Sequence, residues 1–149
     1  MTNLMITAAD LKKYNIFSEL SEEERSVLPP FLSEQTFLAG SAVYGAAEAS
    51  EQLYLVASGE VIITHQLNHE TVTLARLFPG YFFGESGLVE PAHRHRTCVS
   101  AVTDTTVIKL TQANFNKLKT AHPAVAFSVL NKIARVLSER LTDNVMRIG

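Results

Sequence analysis

Hydrophobic and polar positions divide the chain into three textures. The first is polar and punctuated: Thr7-Ala8-Ala9-Asp10 and Ser21-Glu22-Glu23-Glu24 each place a hydroxyl residue three positions before a carboxylate. In that spacing side chain and backbone satisfy each other's orphan groups at a helix start. A short helix through Lys12 and Lys13 is expected, then a second one stopped by Pro29-Pro30. From residue 34 to residue 110 the chain turns to brief β-branched and aromatic runs at 36–38, 52–56, 60–66, 71–77, 81–82, 97–102 and 105–110. Ala57-Ser58-Gly59 and Asn68-His69-Glu70 are breaks of hairpin length. Such even spacing predicts an antiparallel sandwich or jelly roll.

The last third has helical periodicity. Thr111 caps a segment running to about Lys119 with Phe115 and Leu118 on one face, and Pro123 suits the first turn of a longer helix. There Ala126, Leu130, Ile133, Leu137, Leu141, Val145 and Ile148 recur at threes and fours as one apolar stripe. Two uses of it stay open: packing on the β region, or pairing of its later part with a second copy.

Composition narrows the class. The 149 residues suit one domain over 1–149, with helices at 1–33, β structure at 34–110 and helices at 111–149. A net charge of -2 argues against general nucleic-acid binding. The single cysteine, Cys98, forms no internal disulfide and reads as a small hydrophobe on a strand. No charged and apolar leader opens the sequence, and no apolar run reaches bilayer length. A cytoplasmic protein without membrane contact is the expectation. Glu22 to Glu24 are read as complements of a helix dipole, not as a cation site.

One stretch carries chemistry. In Tyr81-Phe82-Phe83-Gly84-Glu85-Ser86-Gly87-Leu88 two aromatics end a strand, a glycine permits a turn, and a short helix can begin. The first amides of a helix lack internal partners and carry its positive pole, which suits an anion. Arg94-His95-Arg96-Thr97 follows as a cationic edge, and a guanidinium forks two bonds onto phosphate oxygens. Glu85 beside a phosphate makes sense only if the ligand also presents a donor, such as a sugar hydroxyl.

The run Phe83-Gly84-Glu85-Ser86-Gly87-Leu88, followed by Arg96-Thr97-Cys98-Val99-Ser100-Ala101, resembles the phosphate-binding cassette of the cyclic nucleotide-binding domain family. Asn15-Ile16-Phe17-Ser18-Glu19-Leu20-Ser21 is similar to that family's N-terminal helical segment. Leu53 to Val61 is similar to its central hairpin, and Leu77-Phe78-Pro79-Gly80 to its approach to the cassette. The resemblance implies a mainly β fold: an eight-stranded antiparallel double-stranded β-helix, or jelly-roll-like β-roll, with N-terminal helices and two C-terminal helices. It implies a non-catalytic sensor for cAMP or cGMP, with no metal, that signals by moving the C-terminal helix. The ligand-binding set it implies is Phe83, Gly84, Glu85, Ser86, Gly87, His95, Arg96 and Thr97. Glu85 would accept from the ribose 2′-hydroxyl, and the amides of Ser86 and Gly87 would face the cyclic phosphate. An unidentified protein partner and a homodimer through the C-terminal helix are further expectations. DNA is not expected as a partner, because no helix-turn-helix follows.

Three positions depart from the family pattern. Anchoring on Val99 and Ala101 places His95 where the family has its arginine, with Arg94 and Arg96 on either side. Because neighbouring strand residues point to opposite faces, either Arg96 and Thr97 meet the phosphate through a shifted loop or His95 replaces the guanidinium. Ala47 stands at a usual glycine, suggesting an altered loop. Arg140 and Leu141 stand where relatives set hydroxyls against the purine; Arg140 reads as an exposed helix arginine, or as one stacked over a base.

Rival classes use the same residues differently. A cupin-type metal enzyme would employ His93-Arg94-His95 with His65 or His69, but Thr97, Cys98, Val99 and Ser100 stand where its acidic ligand belongs. A haem sensor would take a histidine axially. An interaction module with a vestigial cavity would keep only the C-terminal helix contact.

Overall fold

The computed structural model describes residues 6–90 and 94–148. Both N-terminal hydroxyl-carboxylate pairs close as expected. Thr7 Oγ1 accepts from the Asp10 amide at 3.2 Å, and Ser21 Oγ accepts from Glu24 at 3.1 Å, each answered by the reciprocal bond. They open α1 (Ala8–Leu11) and α2 (Glu22–Arg25). Arg25 is buried and ties the two together, donating to the carbonyls of Ala8 and Leu20. Pro29 and Pro30 open a 3-10 turn of their own, Pro29–Phe31, separated by three residues from the end of α2.

Among the described residues, eight strands make two antiparallel four-stranded sheets. The first has the order β1 (Ser33–Phe37), β8 (Thr105–Thr111), β3 (Gln52–Ser58), β6 (Phe82–Phe83). The second has the order β2 (Ala42–Tyr44), β7 (Cys98–Ala101), β4 (Val61–Leu67), β5 (Glu70–Leu77). This is the expected β-roll, interrupted by α3 (Ser86–Val89). The short strand β2 was not among the sequence runs.

In the first sheet β3 and β6 are buried on both faces, while the edge strand β1 is largely exposed. On β3, Leu53 and Leu55 face an aliphatic layer shared with the helices, while Tyr54 and Val56 face the interior between the sheets. Phe82 and Phe83 divide in the same way. Double burial explains why β3 reads as a continuous apolar run and not as an alternation. The second sheet is covered on one face only, and β7 alternates accordingly, with Val99 and Ala101 buried and Cys98 and Ser100 half-buried. Cys98 is therefore less enclosed than a core hydrophobe.

Thr111 caps α4 (Gln112–Ala121), accepting from the Asn114 amide at 3.0 Å. The long helix α5 (Pro123–Ile148) corrects the predicted stripe. Ala126, Val129, Ile133 and Val136 pack into the aliphatic layer, whereas Leu137 and Leu141 point outward. The predicted stripe therefore merged two faces of one helix. Phe127 at 69% and Leu141 at 65% exposure mark the outer face; the side chains of Val145 and Ile148 lie outside the described residues.

Candidate functional site

The turn after β6 is built around Gly84, whose φ of +74° lies in the left-handed region that favours glycine. A Cβ there would come within 3.0 Å of the Tyr54 ring and 3.1 Å of the Gln52 carbonyl, so the turn presses directly on β3. Gly87 sits tighter still: its Cβ would stand 2.5 Å from the Gln52 nitrogen. The two glycines seat α3 against β3, and no larger residue reaches that depth.

Beside this seat lies a cavity of about 300 Å³, lined by Tyr44, Gly84, Glu85, Ser86, Glu90, His95, Arg96 and Thr97. Six of the eight predicted ligand residues therefore converge. Phe83 and Gly87 lie beneath the cavity instead. Phe83 is buried, stacked on Tyr54 at a 4.8 Å centroid separation and touching Tyr44. The Gly87 amide already donates to the Gly84 carbonyl at 3.0 Å, and Leu88 to Glu85 at 3.0 Å. The Gly87 amide is thus engaged within the turn, and Gly84, Glu85 and Ser86 are the cassette residues that line the cavity.

The cationic edge resolves into three directions. Arg94 turns away, its Nη1 donating to the Ala47 carbonyl at 2.8 Å. His95 is 9% exposed and stacked on Tyr44 with centroids 3.4 Å apart and planes within 6°. Its backbone exchanges bonds with the loop 45–49, donating to Glu48 at 2.9 Å and accepting from Ala47 at 2.8 Å. Ala47 holds φ +73°, a conformation that the family's glycine would adopt without strain. Arg96 and Thr97 complete the lining, so the histidine and the following arginine both meet the cavity.

Tyr44 was not anticipated as a site residue. It lies at the end of a three-residue strand, and only its place beside His95 in space reveals it. Burial, and then the charge of Glu85, push its phenol well above the ordinary tyrosine value, while a hydrogen bond with Thr97 acts weakly the other way. It stays a neutral O–H platform for the imidazole. Arg140 also differs from its reading as an exposed helix arginine. Its Nη1 stands 3.7 Å from Glu85 Oε1, its Nη2 donates to the Phe82 carbonyl at 3.2 Å, and its Cζ lies 4.8 Å above the Phe82 ring. The helix α5 thereby reaches the carboxylate of the cavity.

Among the described residues, no group of three or more His, Cys, Asp or Glu side chains is placed to hold a metal. The cupin pair falls partly on His93, which lies outside the described residues. Among the described residues, no helix is long and apolar enough to cross a membrane.

Comparison with known proteins agrees with this geometry. The family model described as the cyclic nucleotide-binding domain matches residues 34–122, and the chain belongs to that family. It is 32% identical over 131 residues to a cyclic AMP receptor protein of Thermus thermophilus, covering 87% of this chain and 60% of that protein. It is 36% identical over 108 residues to a cAMP-dependent protein kinase regulatory subunit of Yarrowia lipolytica, covering 72% of this chain and 28% of that one. The chain thus spans less than two thirds of the length of these relatives. A solved cyclic nucleotide-binding domain from Methylobacillus flagellatus superposes with a TM-score of 0.82 at 20% identity, over 95% of this chain and 79% of that one, a likeness of fold.

Proposed function

We propose that the chain acts as one non-catalytic, cytoplasmic sensor domain that captures a cyclic nucleotide, cAMP or cGMP, in the 300 Å³ cavity. The observation that carries this reading is the convergence of Glu85, Ser86, His95, Arg96 and Thr97 on one hollow. Ser86, Arg96 and Thr97 would hold the phosphate, and Glu85 the ribose 2′-hydroxyl. Arg140 would carry the state of Glu85 to α5, whose displacement alters what a protein partner meets. Such a signal requires the ligand to bind the two helix positions unequally. The outward apolar residues Phe127, Leu137 and Leu141 support pairing of α5 with a second copy.

His95 takes the place of the family's arginine, and the charge count gives this a consequence. With Arg140 standing 3.7 Å from Glu85, the charges of Glu85 and Glu90 are offset by Arg96 and Arg140, so a neutral imidazole leaves the site near neutral and an imidazolium makes it net positive. An entering phosphate favours the protonated ring. Affinity is therefore expected to fall as pH rises between about 5.5 and 8. Calorimetry with cAMP and cGMP on the wild type, Glu85→Ala, His95→Ala and Arg96→Ala tests the site. Loss of one charge-assisted contact is expected to weaken binding about tenfold or more. Unchanged binding in all three variants would remove the assignment, and a pH-independent affinity would remove the role of His95.

A further inference from the structure

A second cavity has its lining one residue pair away from that of the first. It measures about 240 Å³ and is lined by Asn15, Leu77, Tyr81, Val136, Glu139 and Arg140. Small-molecule sites span roughly 300–1,000 Å³, so each cavity alone is at or below the lower edge of that range. The Arg140 and Glu85 pair links the two linings: Arg140 lines the second cavity, and Glu85, 3.7 Å from it, lines the first. A ligand anchored at Ser86 and Arg96 that reaches Glu85 with its sugar therefore arrives at this pair with its remaining ring.

The lining of the second cavity suits a flat heterocycle. Leu77 and Val136 are buried apolar walls, and the Tyr81 ring, 44% exposed, offers a stacking face. The polar edge is specific in its chemistry. Glu139 is an acceptor, and Arg140 is a donor whose guanidinium carries five N–H groups, more than its contacts with Phe82 and Glu85 consume. Guanine presents the acceptors O6 and N7 on one edge and N–H donors at positions 1 and 2 beside them. Adenine puts an amino donor where O6 would be, facing a guanidinium with a like group.

We propose that this second cavity is the base subsite and that it selects guanine over adenine, with Arg140 donating to O6 and N7 and Glu139 accepting from the N1 and N2 hydrogens. The proposal rests on the reading that phosphate and ribose occupy the first cavity.

The test is calorimetric titration of the full chain with cGMP and with cAMP, on the wild type and on Glu139→Ala. Glu139 is exposed, so its truncation leaves the fold intact, and a thermal melt verifies that. The wild type is expected to prefer cGMP by about tenfold or more, the discrimination typical of a well-matched base edge. In Glu139→Ala that preference collapses through weaker cGMP binding. Equal or tighter binding of cAMP by the wild type, or an undiminished cGMP preference in Glu139→Ala, overturns the base assignment and leaves the cyclic-nucleotide reading standing. Absence of binding by either nucleotide overturns both.

Discussion

The two buried layers of this protein are made of different material. The layer between the first sheet and the helices is largely aliphatic, with Leu53, Leu55, Leu110, Leu118, Val129 and Ile133 among its members. The layer between the two sheets is smaller, and its cavity end is aromatic: Tyr44, Tyr54 and Phe83 touch one another, and His95 lies flat on Tyr44. Branched aliphatic side chains fill volume in well-defined rotamers and bring no polar atom that needs a partner. Rings give flat, stiff platforms with polar tips, which hold neighbours in fixed planes. The chain thus holds itself together on one side of the first sheet and presents chemistry on the other.

That division can be broken from either side. Truncating Leu55→Ala removes a fully buried side chain from the aliphatic layer and is expected to cost about 2–5 kcal/mol of stability. The fraction that remains folded should keep wild-type nucleotide affinity, measured by calorimetry below the melting transition. If affinity falls as far as stability does, the two layers are not separable.

Gly87→Ala attacks the other side. Its new methyl would meet the Gln52 nitrogen at 2.5 Å, and overpacking of that kind costs roughly 1–3 kcal/mol. Because α3 has to move to make room, nucleotide affinity should drop by more than the stability loss alone accounts for. A variant that is destabilised but binds normally would show that the seat of α3 is not what sets the cavity.

The smallest effect is expected at the rim of the aliphatic layer. Glu19 pairs with Arg135, and with Lys132 at 2.8 Å, tying the N-terminal segment to α5. Hydrogen bonds from Arg135 and then Lys132 hold its carboxyl down at about 2 from an ordinary 4.5. A depressed folded value means a stabilising contribution present above about pH 4.5 and lost as pH falls toward 2. Wild type and Glu19→Gln should therefore melt at slightly different temperatures near neutrality and converge over that acid window. Parallel curves down to pH 2 would show that the pair contributes nothing.

The sequence disclosed the seat of the site better than its rim. Gly84, Glu85 and the start of α3 were readable because a left-handed turn and a helix start each demand particular residue types at fixed offsets. Strand β2 escaped because three residues between Ser41 and Gly45 are too few for an alternation to register. Tyr44 went unnoticed with it, since its role comes from lying next to His95 in space. On α5 the leucines drew the predicted stripe toward Leu137 and Leu141, although Val129 and Val136 are what the aliphatic layer takes up. Arg140 shows the limit of periodicity, which gives the direction of a Cβ but not the reach of the long side chain beyond it. The ambiguity of register among Arg94, His95 and Arg96 was real, because only the bonds of the loop 45–49 to the His95 backbone decide which side chain enters the cavity.

Strand β3 has a consequence for how such a chain can drift over generations. Leu53 and Leu55 answer to one layer while Tyr54 and Val56 answer to the other, so consecutive codons are constrained by unrelated neighbours. Variation is tolerated best on the outer side of β4 and β5, which no layer covers among the described residues. Lineages that retune the ligand while keeping the scaffold would be expected to change the even-numbered residues of this strand and spare the odd ones.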